Sequence, residues 1–149
     1  MHHFFWLSNA LFMAFHSLAI ISKARDRKLT TANIATALGV SFNHLQKVHQ
    51  KLVHAGIIRS VRGPGGGFEL NKPASEITLF DVFIAVEGQY ADCECLLQPG
   101  DRLIDHSSHC VLGDFLQQLD QLIKNHLQTV TLDQFSKQCK ISIDLHEDE

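Results

Sequence analysis

At 149 residues and 45% hydrophobic, the chain is long enough for one domain with a sizeable core plus an appended helix, and it holds no internal repeat or low-complexity run. A formal net charge of −3 would alone argue against a polyanionic partner, but the charge is unevenly spread. Residues 23 to 72 carry nine Lys or Arg against two acids, or +7, and the remainder carries four against fourteen, or −10, so a basic surface suited to phosphate neutralisation is set against an acidic rest.

The first predicted element is an apolar helix from Phe4 to Ile21. It lacks a basic leader and a small-residue cleavage site, and Ser8, Asn9, His16 and Ser17 interrupt it. It therefore reads as a buried first helix rather than a signal peptide or membrane anchor. Its excess of aromatic residues suggests packing on a partner subunit as well as on its own domain.

Next, Leu29 or Thr30 precedes a short helix with apolar Ala32, Ile34, Ala35 and Leu38, ended by Gly39. Val40 fills the turn. Ser41 or Asn43 can cap a second helix whose apolar positions Phe42, Leu45, Val48, Leu52 and Val53 recur at helical spacing, closed by Gly56. Its solvent face carries Asn43, His44, Gln46, Lys47, Gln50 and Lys51 and no acid, whereas a merely solvated face usually mixes in Glu and Asp. His44, His49 and His54 also fall on this helix, where DNA-facing or surface roles suit them better than metal binding.

A β-hairpin follows. Ile57 to Val61 and Phe68 to Leu70 can pair as strands around a tip in which Gly63 and Gly65 to Gly67 tolerate positive φ and Pro64 fixes one φ. Arg59 and Arg62 supply charge, and the Arg62 guanidinium suits phosphate or the narrow minor groove. A phosphate-binding loop is the competing interpretation, but no Gly-Lys-Ser/Thr follows and the glycines lead into a strand. Helix, glycine turn, helix and hairpin together make a winged helix-turn-helix, with the second helix as the one that enters the major groove.

Residues 76 to 88 form a further helix through Ile77, Leu79, Phe80, Val82, Phe83 and Val86, and residues 111 to 127 a long amphipathic one. On the latter, Leu112, Phe115, Leu116, Leu119, Leu122, Ile123 and Leu127 form a stripe too broad for one neighbour. A dimer seam explains it, with simple packing onto the domain as the alternative. Between the two helices lie Cys93, Cys95 and Cys110 with His106 and His109, thiolates and imidazoles of the kind that ligate iron-sulfur clusters. Four cysteines without a secretion signal point to a reducing cytoplasm, where thiols bind metal or respond to oxidants.

The Leu38-Gly-Val-Ser turn, Leu45, the Arg62-Gly-Pro-Gly-Gly-Gly-Phe wing and the run from Ile77 to Gly88 resemble the IscR/NsrR-type winged-helix regulators of the Rrf-two family over nearly the whole chain. The resemblance implies a homodimer joined through the long C-terminal helix and an iron-sulfur cluster, [2Fe-2S] or [4Fe-4S], in the loop before it. Cys110 and Cys93 match the family's positions. The middle cysteine departs, because the family spaces three about evenly and Cys95 follows Cys93 by two residues. Cys93 with Cys110 is the preferred ligand pair, Cys95 the next candidate, and His106 or His109 a nitrogen ligand. In some relatives the partner's first helix completes the site, and the matching region here offers Asn9, a poor ligand, with His16 further along. Cys139 reads as a packed cysteine.

The expected fold is mainly α with a small β-hairpin. It comprises a winged helix-turn-helix DNA-binding domain over 1–88, a cysteine-bearing sensor loop over 89–110, and a dimerisation helix and C-terminal tail over 111–149. The expected function is a cytoplasmic, dimeric regulator that binds a palindromic operator in double-stranded DNA and senses redox state, nitric oxide or iron-sulfur supply. DNA contacts are expected from Ser41, Asn43, His44, Gln46, Lys47, Lys51, Arg59, Arg62, Gly63, Gly65, Gly66 and Gly67. A cluster-free thiol switch, a zinc site and a ligand-free repressor stand as alternatives. An enzyme or electron carrier would leave the basic segment unexplained, and no nucleophile has a paired base.

Overall fold

A computed structural model of the chain describes residues 8–24, 27–90 and 111–139. Helix α1 (Asn9–Lys23) is followed by α2 (Thr31–Leu38), α3 (Phe42–His54), strands β1 (Ile58–Val61) and β2 (Gly67–Leu70), a 3-10 turn (Ala74–Glu76), α4 (Leu79–Glu87), α5 (Val111–Thr129) and α6 (Leu132–Gln138). This is the expected mainly helical fold with a hairpin. No helix among the described residues is long and apolar enough to cross a membrane.

Local chemistry sets the helix ends. The Thr30, Thr78 and Thr131 hydroxyls each accept from the backbone N–H three residues on, while the side chains of Asn33, Asp81 and Gln134 reach back to the cap, satisfying two otherwise orphaned donors each time. Gly39 terminates α2 at φ 64°, a left-handed conformation that a side chain would resist.

Helix α1 is the axle of the core. Leu11, Leu18 and Ile20 are sealed from solvent, and α3, α4, α6 and β2 all pack on it. Leu45 and Leu52 of α3, Ile34 of α2, Val82 of α4 and Leu132 of α6 close the same cluster. Each such side chain contributes about 1.5–3 kcal/mol relative to exposure.

Helix α6 is absent from the sequence expectation of a tail after the long helix. A backbone bridge fixes it, with Leu79 N–H donating to Val130 O at 3.0 Å and Leu132 N–H to Ile77 O at 2.8 Å. Two apolar residues of α3 also lie further out than their spacing suggested: Phe42 is 46% and Val53 38% exposed. Phe4, Phe5 and Trp6 lie outside the described residues.

Candidate nucleic-acid interface

Helix α3 buries a narrow stripe, Leu45, Val48, His49 and Leu52, at the i, i+3, i+4, i+7 spacing of one helical face. Ser41, Asn43, His44, Gln46, Lys47, Gln50 and Lys51 are exposed. Ser41 holds the N-cap position in extended conformation without a side-chain capping bond. The acid-free face expected from the sequence is thus open to solvent for its whole length. One member has a partner: the Lys51 ammonium donates to Val86 O at 2.6 Å, near the C-terminal end of α4. Lys51 therefore sits on the flank of α3 that meets α4.

The hairpin pairs Ile58 with Leu70, Arg59 with Glu69, Ser60 with Phe68 and Val61 with Gly67. Its tip is closed by Gly66 N–H donating to Gly63 O at 2.9 Å. A Cβ on Gly66 would lie 2.4 Å from Val61 O, so the turn has no room for a side chain there. The two arginines differ. Arg59 Nε reaches Glu69 Oε1 at 2.6 Å across the ladder, whereas Arg62 stands at the exposed tip with no ion pair or hydrogen bond to its side chain among the described residues.

The wing is docked at its base. Phe68 N–H donates to Leu29 O at 2.9 Å, and a Cβ on Gly67 would come within 2.6 Å of the Leu29 carbonyl, so the strand can approach only because that residue is glycine. The Phe68 ring lies 4.7 Å from that of His49, whose Nδ1 is 3.1 Å from Thr31 Oγ1. His49 is 1% exposed, and burial pushes its pKa down to about 4. It is therefore a core residue joining α2, α3 and the wing, contrary to the DNA-facing or surface role expected for it. Its apolar-stripe position, four residues after Leu45 and three before Leu52, is the signal that could have placed it inside.

Cys93, Cys95, His106, His109 and Cys110 lie outside the described residues. The flanks of that segment are clear. Before it, Tyr90 packs between Phe80, Phe83 and Lys124, and its hydroxyl donates to Asp120 Oδ1 of α5 at 2.7 Å. After it, α5 starts at Val111. Among the described residues, no group of three or more His, Cys, Asp or Glu is arranged to hold a metal ion. Asn9 is exposed. His16 is occupied locally, with Nδ1 2.9 Å from Phe12 O. Cys139 is a free, half-buried thiol at the end of α6, in keeping with a packed cysteine.

On α5, Leu127 is buried in the core with Ile123 packed against it and Leu116 is also buried, while Phe115 is 53% and Leu122 66% exposed. The stripe thus has an inner part that the domain covers and an outer part that it does not.

The family model Rrf2, described as an iron-dependent transcriptional regulator, matches residues 7–138. An HTH-type transcriptional regulator named YwgB, from Bacillus subtilis (strain 168), is 37% identical over 106 residues, spanning 70% of this chain and 66% of that protein. The HTH-type transcriptional regulator IscR of Photorhabdus laumondii subsp. laumondii is 32% identical over 118 residues, 72% of each. In fold, the chain is similar to CymR (YrzC), the global cysteine regulator of B. subtilis, with TM-score 0.75 at 19% identity over 89% of this chain and 97% of that one.

Proposed function

The chain belongs to the Rrf2 family of DNA-binding transcriptional regulators, not to an enzyme family, and we propose that it is a cytoplasmic homodimer that binds a palindromic operator and is switched through the segment carrying Cys93, Cys95 and Cys110. The observation that carries this is the placement of an acid-free, solvent-open face of α3 beside a wing whose Arg62 is exposed. Ser41, Asn43, His44 and Gln46 address base edges and nearby phosphates from the early turns of α3. Lys47 neutralises backbone further along, while Lys51 at the flank is held by Val86 O of α4. The tip formed by Arg62, Gly63, Gly65, Gly66 and Gly67 enters the adjacent minor groove, with Arg59 behind it.

The donor set of the sensor segment fits an iron-sulfur cluster, since soft thiolates at Cys93 and Cys110, then Cys95, with His106 or His109 as nitrogen donor, are what iron and sulfide take. A bound cluster would supply a centre responsive to redox state or nitric oxide. The chain's own part is transmission: the segment leads straight into α5, and Tyr90 ties its start to Asp120 of the same helix. A shift of α5 in both protomers changes the separation of the two α3 helices, to which half-sites of fixed spacing are sensitive. The same thiols allow a second reading, in which they act by reversible oxidation without a cluster.

Two measurements test this. Binding to duplexes selected from a random pool should weaken steeply with salt, and flat salt dependence would remove the basic face from the mechanism. Protein handled anaerobically should show visible absorption that Cys93→Ser or Cys110→Ser abolishes and Cys139→Ser leaves intact. Protein that stays colourless after reconstitution with iron and sulfide rules out the cluster, and a Cys93–Cys110 disulfide on oxidation would then identify the thiol switch.

A further inference from the structure

Phe42 is the first residue of α3, and 46% of its surface is exposed although every other side chain open to solvent in the first two turns is polar or charged. The core does not include it: Leu45, Val48 and Leu52, all at most 3% exposed, belong to the core cluster, and Phe42 is neither in that cluster nor among the half-buried residues packed against it. Elsewhere on a surface a single exposed ring would mean little. Here it stands between Ser41, whose hydroxyl makes no capping bond, and Asn43, at the end of the helix whose opening residues meet base edges. At ~100° per residue it lies on the same side of the helix as Gln46, one turn later.

The floor of the major groove offers one apolar group, the C5-methyl of thymine. We propose that Phe42 is a specificity-determining residue that covers a thymine methyl in each half-site, setting a T·A pair beside the bases that Asn43 and Gln46 address. This rests on α3 being the helix in the major groove. The ring leaves water against a methyl instead of against its own core, so its cost in the free protein becomes discrimination in the complex.

The test uses the full chain and duplexes it selects from a random pool, with each thymine replaced singly by deoxyuridine, which removes only the methyl. In each half-site one replacement should weaken wild-type binding about three- to fivefold, the effect of one methyl group leaving an apolar contact. Phe42→Ala should bind the parent duplex more weakly and show no further loss at that position, and Phe42→Leu should recover part of the sensitivity. If no deoxyuridine affects the wild type, the inference fails without any variant having to fold. If Phe42→Ala remains as sensitive as the wild type, another residue covers the methyl and the inference also fails. Selection of no preferred sequence, despite salt-dependent binding, would instead overturn the placement of α3, and the inference with it.

Discussion

Helices α3 and α5 share a plan and differ in what they leave outside. Each lays a stripe at helical spacing against the same core, Leu45 and Leu52 in one, Leu127 with half-buried Ile123 in the other. Outside that stripe α3 shows amides, imidazoles and ammonium groups without an acid, broken by Phe42 and Val53, whereas α5 keeps Phe115 and Leu122, two turns apart, in water. Periodicity marks both as helices, and the residue types beyond the covered stripe are what carry the proposed partners, a polyanion for α3 and an apolar protein surface for α5.

The sharpest way to break the comparison is to charge the outer face of α5. Phe115→Glu with Leu122→Glu replaces two half-exposed or more exposed side chains, so the domain should fold, while two carboxylates per protomer face each other in the proposed seam. Light scattering should report a monomer, and operator affinity should fall by about 10²-fold or more, because each half-site must then be bound without its tethered neighbour. A dimer that survives would put the seam elsewhere.

The next largest effect concerns the joint between α3 and the wing. The His49 pKa is lowered from 6.5 to about 4 by burial, so in the folded chain the ring stays neutral where the unfolded chain takes up a proton. Stability from this group is complete above about pH 7 and falls as pH drops from about 6.5 to about 4. The total is about 3 kcal/mol at 1.36 kcal/mol per pK unit. Urea midpoints across that range should decline less in His49→Leu than in wild type, and parallel curves would place the ring in water.

Much of this division was legible in the sequence. The hairpin and both helices of the turn announced themselves through glycine placement and apolar spacing, because those signals act within a few residues. The joint did not: Thr31, His49 and Phe68 meet only because β2 folds back beside Leu29. His49 reads as polar in the sequence and is interior in the fold. Helix α6 was hidden for a related reason, since its capping box at Thr131 is brief and the backbone pairing with Ile77 and Thr78 that anchors it spans more than fifty residues. The exposure of Phe42 was equally invisible, since spacing alone placed it with Leu45.

Within the wing, the two arginines sharpen the polyanion half of the comparison. Arg62→Ala should cost about 1–3 kcal/mol of operator affinity with the fold intact, as expected of a guanidinium seated in a groove. Arg59→Ala should cost less, because its charge is already shared with Glu69 across the ladder and exposed pairs of this kind contribute about 0–1 kcal/mol. Equal losses in mobility-shift titrations at matched salt would mean that Arg59 leaves Glu69 on binding.

The smallest effect separates two lysines one helical turn apart. Lys47 lies on the open face of α3, so Lys47→Ala should lower the slope of log affinity against log salt by about 0.9, one phosphate contact, without changing the ranking of operators. Lys51 differs because its ammonium donates to Val86 O beside the end of α4, where a cation also suits the partial negative charge of the helix C-terminus. Removing it should leave the slope nearly unchanged and instead cost about 1 kcal/mol of folding stability, the net worth of one hydrogen bond with a charged donor partly open to water. If Lys51→Ala lowered the slope as much as Lys47→Ala, the ammonium must leave Val86 for phosphate on binding. The flank of α3 against α4 would then belong to the DNA-binding face, and the boundary between the polar outer surface of α3 and its structural side would move by one residue row.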